Sequence, residues 1–116
     1  MDSEKTYTVA QLDDIPLISC PCGFTRRAFT EDVDQLTTLH LLDVHKDSQV
    51  HYHKEITEIY FILEGEGHLV LDGDFVPVKP MTGILIKPGC RHRAIGQLKI
   101  AITAIPAFDP EDEWFD

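Results

Sequence analysis

Beyond its N-terminal third, this chain is cut by glycine and proline into short apolar runs, and no stretch sustains a helical period. The runs fall at 39–44, 58–63, 68–71, 75–79, 83–87 and 98–105. The breaks between them have recognisable chemistry. Gly65-Glu66-Gly67 reads as a stop between the second and third runs. Asp72-Gly73 is the strongest short hairpin signal in the chain. Pro77 marks an edge strand or a bulge, Pro88-Gly89 a turn, and Pro106 the end of the last run. Six short strands so spaced predict an all-β sandwich or barrel. Residues 31–36 fit either a turn of helix or a loop. Residues 1 to about 20 are expected to add edge strands or to exchange with a second subunit.

The chain has 116 residues, which predicts one domain over 1–116. Twenty acids against ten bases give a formal charge of −10. That balance argues against nucleic acid and against an anionic membrane surface, both of which need clustered Lys and Arg. The first residues have no basic start and no apolar stretch, so no signal peptide is read and a cytoplasmic protein is expected. Five of the last eight residues are acidic: Asp109, Glu111, Asp112, Glu113 and Asp116. The favoured reading is a solvated end. Trp114 and Phe115 argue the other way, because large aromatics at a terminus usually cover a surface, their own or a partner's. With the strand edges, they motivate the expectation of a homodimer.

Three cysteines do not make a disulfide framework. Cys20 and Cys22 have no second pair with which to complete a zinc site, and are read as reduced thiols. Cys90 lies two residues before His92, which makes it a neighbour of any site there, or a redox-sensitive thiol, rather than a ligand.

Four residues carry the chemistry. His51, His53 and Glu58 sit in one short run, and His92 follows in Lys87-Pro88-Gly89-Cys90-Arg91-His92. Three imidazoles and a carboxylate suit a first-row divalent ion: Fe, Mn, Ni, Cu or Zn. In a strand His51 and His53 face the same way. A turn over 54–57 then places Glu58 opposite His53 on the next strand, within reach of it. His40, His45 and His68 are read as ordinary polar side chains.

These residues resemble the cupin superfamily. Its first motif, H-x-H, three or four residues, E, six residues, G, matches His51, His53, Glu58 and Gly65 throughout. Its second motif, P-x-G-x-x-H, is matched at Gly89 and His92. Lys87 replaces the first proline, Met81 stands where a leading glycine is usual, and Gly96 stands at the final asparagine. The resemblance implies a double-stranded β-helix, a small jelly-roll barrel at about 36–106, commonly a homodimer. It implies the ligand role for His51, His53, Glu58 and His92. It implies no particular reaction, since the fold serves dioxygenases, isomerases, lyases and plain binding domains.

The expected function is therefore a metal-dependent enzyme on a small polar metabolite. The alternative is a non-catalytic module that binds a small ligand. Tyr60 shares a strand face with Glu58 and is the candidate proton-transfer or substrate-orienting group, against a competing reading as core. Glu66 is a weaker candidate in a glycine turn. Of Arg26 and Arg27 only one can point inward, where it could meet a substrate anion. Salt bridges to the chain's excess acid are the favoured explanation for both.

Overall fold

The computed structural model describes residues 5–20, 23–45 and 49–116, so Cys22 lies outside the described residues. Among the described residues seven antiparallel strands form one sheet: β1 (Ile18–Cys20), β2 (Gly23–Ala28), β3 (Thr38–Val44), β4 (Thr57–Leu71), β5 (Asp74–Val78), β6 (Gly83–Ile86) and β7 (His92–Ile105). They pair in the order β1-β2-β3-β7-β4. The far edge of β4 is shared: Glu58 to Phe61 pair with β6, and Gly67 to Leu71 pair with β5. The result is the all-β jelly-roll barrel, a double-stranded β-helix, that the motifs imply.

Period-two alternation decides what lies inside. Along β3, Thr38, His40, Leu42 and Val44 are buried and the residues between them are not. Along β4, Glu58, Tyr60 and Ile62 are buried in the same way. With Leu69, Val78, Ile86, Leu98, Ile100 and Ile102 they make one core. Buried polar side chains, Thr38, His40 and Glu58 among them, gather toward one end of the barrel, and there the core gives way to a cavity.

Asp72 and Gly73 both take positive φ, 49° and 85°, which is the requirement of the tight hairpin joining β4 to β5. Pro77 sits on β5, an edge strand paired only to β4. Residues 31–36 form turns and no helix.

Two expectations are corrected. Gly65 to Gly67 do not stop the strand: β4 runs through them and keeps its pairing with β7 after a bulge between Ile62 and Glu64. The glycines make this continuity possible. Gly65 has φ +91°, and a Cβ there would lie 2.1 Å from the Gln97 carbonyl oxygen. Nor is Glu58 the ladder partner of His53. Glu58 pairs with Ala104 and Ile86, while His51 bridges to His92 and Tyr52 to Trp114. The 54–57 segment is not a tight hairpin turn, because the strand start at β7 and the C-terminal segment take its neighbours instead.

The departures in the second motif also have a structural reading. Met81 adopts φ 79° in the turn before β6, a conformation that favours the glycine usual at that position. Gly96, at the usual asparagine, has φ 108° inside the β4–β7 ladder.

Candidate metal centre

His51, His53 and His92 each offer a ring nitrogen, and these nitrogens lie within 4.8 Å of one another. The local backbone explains why. His51 and His92 exchange both N–H···O bonds, 3.1 and 2.9 Å, so their rings stand side by side with centroids 4.3 Å apart. His53, two residues on, faces the same way, and its Gly89 neighbour in space donates an amide to the His53 carbonyl at 2.7 Å.

In each imidazole Nδ1 meets a backbone carbonyl: Gln49 O at 3.2 Å from His51, Asp112 O at 2.7 Å from His53, Cys90 O at 2.9 Å from His92. A carbonyl only accepts, so Nδ1 carries the proton and Nε2 is left as the lone pair. Glu58 completes the group. Its Oε1 lies 3.1 Å from His53 Nε2 and 3.2 Å from His92 Nε2. Neither Glu58 Oε1 nor His92 Nε2 completes a hydrogen bond of normal geometry, although both atoms are buried. Buried polar atoms left in this way are uncommon, and a cation among them would satisfy both. The donor set therefore fits a divalent ion of the first transition row.

The electrostatics agree. Burial pushes the Glu58 carboxyl up, but His53 and His92 outweigh it and hold the pKa at about 2. Burial and then the adjacent His92 bring His51 down to about 4, so it is neutral at physiological pH. Burial also opposes protonation of His53, yet the Glu58 carboxylate beside it raises that group above its ordinary value. A metal ion would supply the positive charge beside Glu58 that a protonated His53 otherwise provides.

The acidic C-terminus is a solvated end only in part: Asp109, Glu111 and Asp116 are exposed, and Asp112 is not. Asp112 is 9% exposed. Its carboxylate accepts the backbone N–H of Lys54, Glu55 and Ile56 at 3.0, 3.0 and 3.1 Å, and the Trp114 indole N–H at 3.0 Å. Burial works against the charge, but these four donors win and keep the Asp112 pKa below its usual value. The Trp114 ring lies under the Lys54 ammonium at 3.6 Å. Asp116 forms a two-point pair with Arg91, whose guanidinium stacks on Tyr52 at 3.5 Å. Trp114 thus packs on this chain's own Lys54, while both it and Phe115 stay partly exposed. Tail acidity gave no hint that one carboxylate serves three consecutive amides more than fifty positions away.

A cavity of about 160 Å³ opens on His51, His53 and Glu58. His40, Arg27, Tyr60, Phe108, Glu113 and Phe115 are among its walls. Tyr60 is inward as expected, its ring edge-on to His92 with centroids 5.9 Å apart. Glu113 lies 3.8 Å from His51 Nε2. Glu66 is exposed, away from the centre. Cys90 contributes its carbonyl rather than its sulfur, and burial raises its thiol pKa, which removes the basis for a reactive thiolate. His40 was passed over in the sequence. It is buried, it bonds Thr38 Oγ1 at 2.8 Å, and burial with Arg27 holds its pKa at about 4. Its alternation with Leu42 and Val44 was the available signal.

The arginines also differ from expectation. Arg26 faces out and donates to the carbonyls of Asp13 and Ile15, tethering the N-terminal segment. Arg27 faces in, with its guanidinium 4.7 Å from the Phe108 ring. Neither makes a salt bridge among the described residues.

A jelly-roll barrel with a histidine cluster inside one mouth defines a class, and comparison with known proteins makes the class specific. The cupin domain model matches residues 38–97. This chain belongs to the cupin family. It is 36% identical over 76 residues to an uncharacterised protein of Methanocaldococcus jannaschii, an alignment covering 62% of this chain and 61% of that one. The chain thus matches about three fifths of that relative's length. Among solved structures, a protein from Planctomyces limnophilus is 34% identical with a TM-score of 0.88, covering 95% of this chain and 97% of that one. Streptomyces Pac13, described as a nucleoside dehydratase, has a TM-score of 0.79 at 20% identity, covering 94% and 90%. At that identity the likeness concerns the fold alone.

Proposed function

We propose that His51, His53, Glu58 and His92 hold one divalent metal ion, and that the chain is a metal-dependent enzyme acting on a small polar metabolite. The observation that carries this reading is the convergence of three ring nitrogens, each with Nδ1 fixed by a carbonyl, where His51, His53 and Glu58 line a cavity. A buried site sealed from solvent would serve structure; this one faces open space. When bound, the ion supplies a Lewis acid for a chelating hydroxyl or carbonyl and lowers the pKa of coordinated water.

The chain's own residues do the rest. Three carbonyls hold the imidazoles in one tautomer and orientation. Glu58 stays ionised and places negative charge beside the ion. The Tyr60 phenol, on the cavity wall beside His92, orients a substrate oxygen or moves a proton at it. Phe108 and Phe115 exclude water from two walls. Pac13 carries out a dehydration on a barrel of similar shape, so eliminations and isomerisations of hydroxy acids and sugars are the first reactions to screen.

His51→Ala and His53→Ala are each expected to abolish stoichiometric metal binding; full metal content in both would sink the assignment. Tyr60→Phe is expected to keep the metal and to slow turnover by about a hundredfold or more. Metal-loaded protein that binds small ligands but turns none over would favour the non-catalytic module instead.

A further inference from the structure

Arg27 is out of place for a structural arginine. The chain carries twice as many acids as bases, yet no acid pairs with Arg27 among the described residues. Its Nε is buried and without a hydrogen bond. Arg93 has the same unpaired Nε but lies outside the cavity, so the orphan atom alone is not diagnostic. Position is what sets Arg27 apart. It lines the same cavity as His51, His53 and Glu58.

The sheet register shows how. Arg27 on β2 is the direct partner of His40 on β3; His40 pairs with Ile102, and Ile102 with Tyr60. These four make one interior row. Glu58, Ala104 and Thr38 make a parallel row, two residues along each strand. The guanidinium and the histidine cluster therefore belong to the same end of the barrel. Phe108 stands between them: Arg27 stacks on it at 4.7 Å, and the rings of His40 and His53 meet it edge-on at 5.3 and 6.2 Å. Phe108 is itself pinned, its amide donating to Thr38 Oγ1 at 2.9 Å.

A guanidinium stacked on a ring keeps its in-plane donors for a planar or tetrahedral anion. His40 beside it is neutral and can give one further N–H. The cavity of about 160 Å³ suits a small ligand, since about 150 Å³ is enough for a benzene-sized molecule. Resting on the metal-centre reading above, we propose that the substrate is a small anionic metabolite whose carboxylate or phosphate docks on Arg27, with His40 alongside, while a hydroxyl or carbonyl at its other end reaches the three-histidine centre.

The test is calorimetric titration of wild type, Arg27→Gln and Arg27→Lys with malonate, inorganic phosphate and neutral glycerol, each with and without one equivalent of zinc. Wild type is expected to bind one of the two anions at least tenfold more tightly than Arg27→Gln. Arg27→Lys should fall between them, because it keeps the charge and loses the fork. Glycerol should not distinguish the three. Malonate against phosphate tells which anion the site prefers. Failure to take up zinc would count against the metal centre, and the zinc-free arm would still test Arg27. Equal anion binding in wild type and Arg27→Gln, or no anion binding to wild type in either arm, would overturn the proposal.

Discussion

The four residues assigned to the metal come from two regions built on different principles. Glu58 and His92 lie on β4 and β7, whose ladder runs from Thr57–Ile105 to Leu71–His92 and is the longest in the molecule. Backbone pairing fixes the strand position of each, near opposite ends of that ladder. His51 and His53 lie in a segment with two isolated bridges and no regular strand. That segment is held from outside, by the Asp112 carboxylate on three successive amides and by the Asp112 carbonyl on His53. Half of the centre is thus set by the barrel, and half is clamped by the C-terminal segment.

The comparison can be broken from either side. The largest expected effect is on the ladder. Gly65→Ala puts a Cβ 2.1 Å from a backbone oxygen at positive φ and should cost about 3 kcal/mol, read as a lower denaturant midpoint. Unchanged stability would mean that the bulge is softer than described. Asp112→Ala attacks the clamped half. It leaves several amides without a partner and should cost about 2 kcal/mol. Metal affinity should also fall by about tenfold or more, because the carbonyl that orients His53 loses its support. Loss of stability with full affinity would separate the clamp from the centre.

Acid sharpens the same point. The Asp112 pKa lies lower in the folded protein than its ordinary 3.8. Its contribution to stability is therefore complete above about pH 4 and is lost as pH falls through the folded value. A plot of melting temperature against pH should fall less steeply below pH 4 in Asp112→Asn than in wild type; parallel curves would contradict this. The smallest effect is expected at Met81, which belongs to neither half. Met81→Gly should relieve the positive φ and raise stability by about 1 kcal/mol at most.

This division also explains what could be read in the sequence. The Asp72-Gly73 hairpin and the inward row of Glu58, Tyr60 and Ile62 were legible because turn chemistry and alternation are local. The candidate ligand residues were legible because the motif keeps their spacing, although the pairing that joins them was not: His53 and Glu58 meet without being ladder partners. Gly65 to Gly67 were misleading, since glycine that permits a bulge looks the same as glycine that ends a strand. Asp112 was hidden among five tail acids because its partners lie far away in the chain. Arg27 and Arg26 were indistinguishable until the register of β2 on β3 decided which one faces the cavity.

The most direct test of the central claim is elemental analysis of untagged protein purified without added metal or chelator, beside the His53→Ala variant. The account predicts about one equivalent of a first-row divalent ion per chain in wild type and none in the variant. Wild type that carries no metal and takes none up on titration would contradict it.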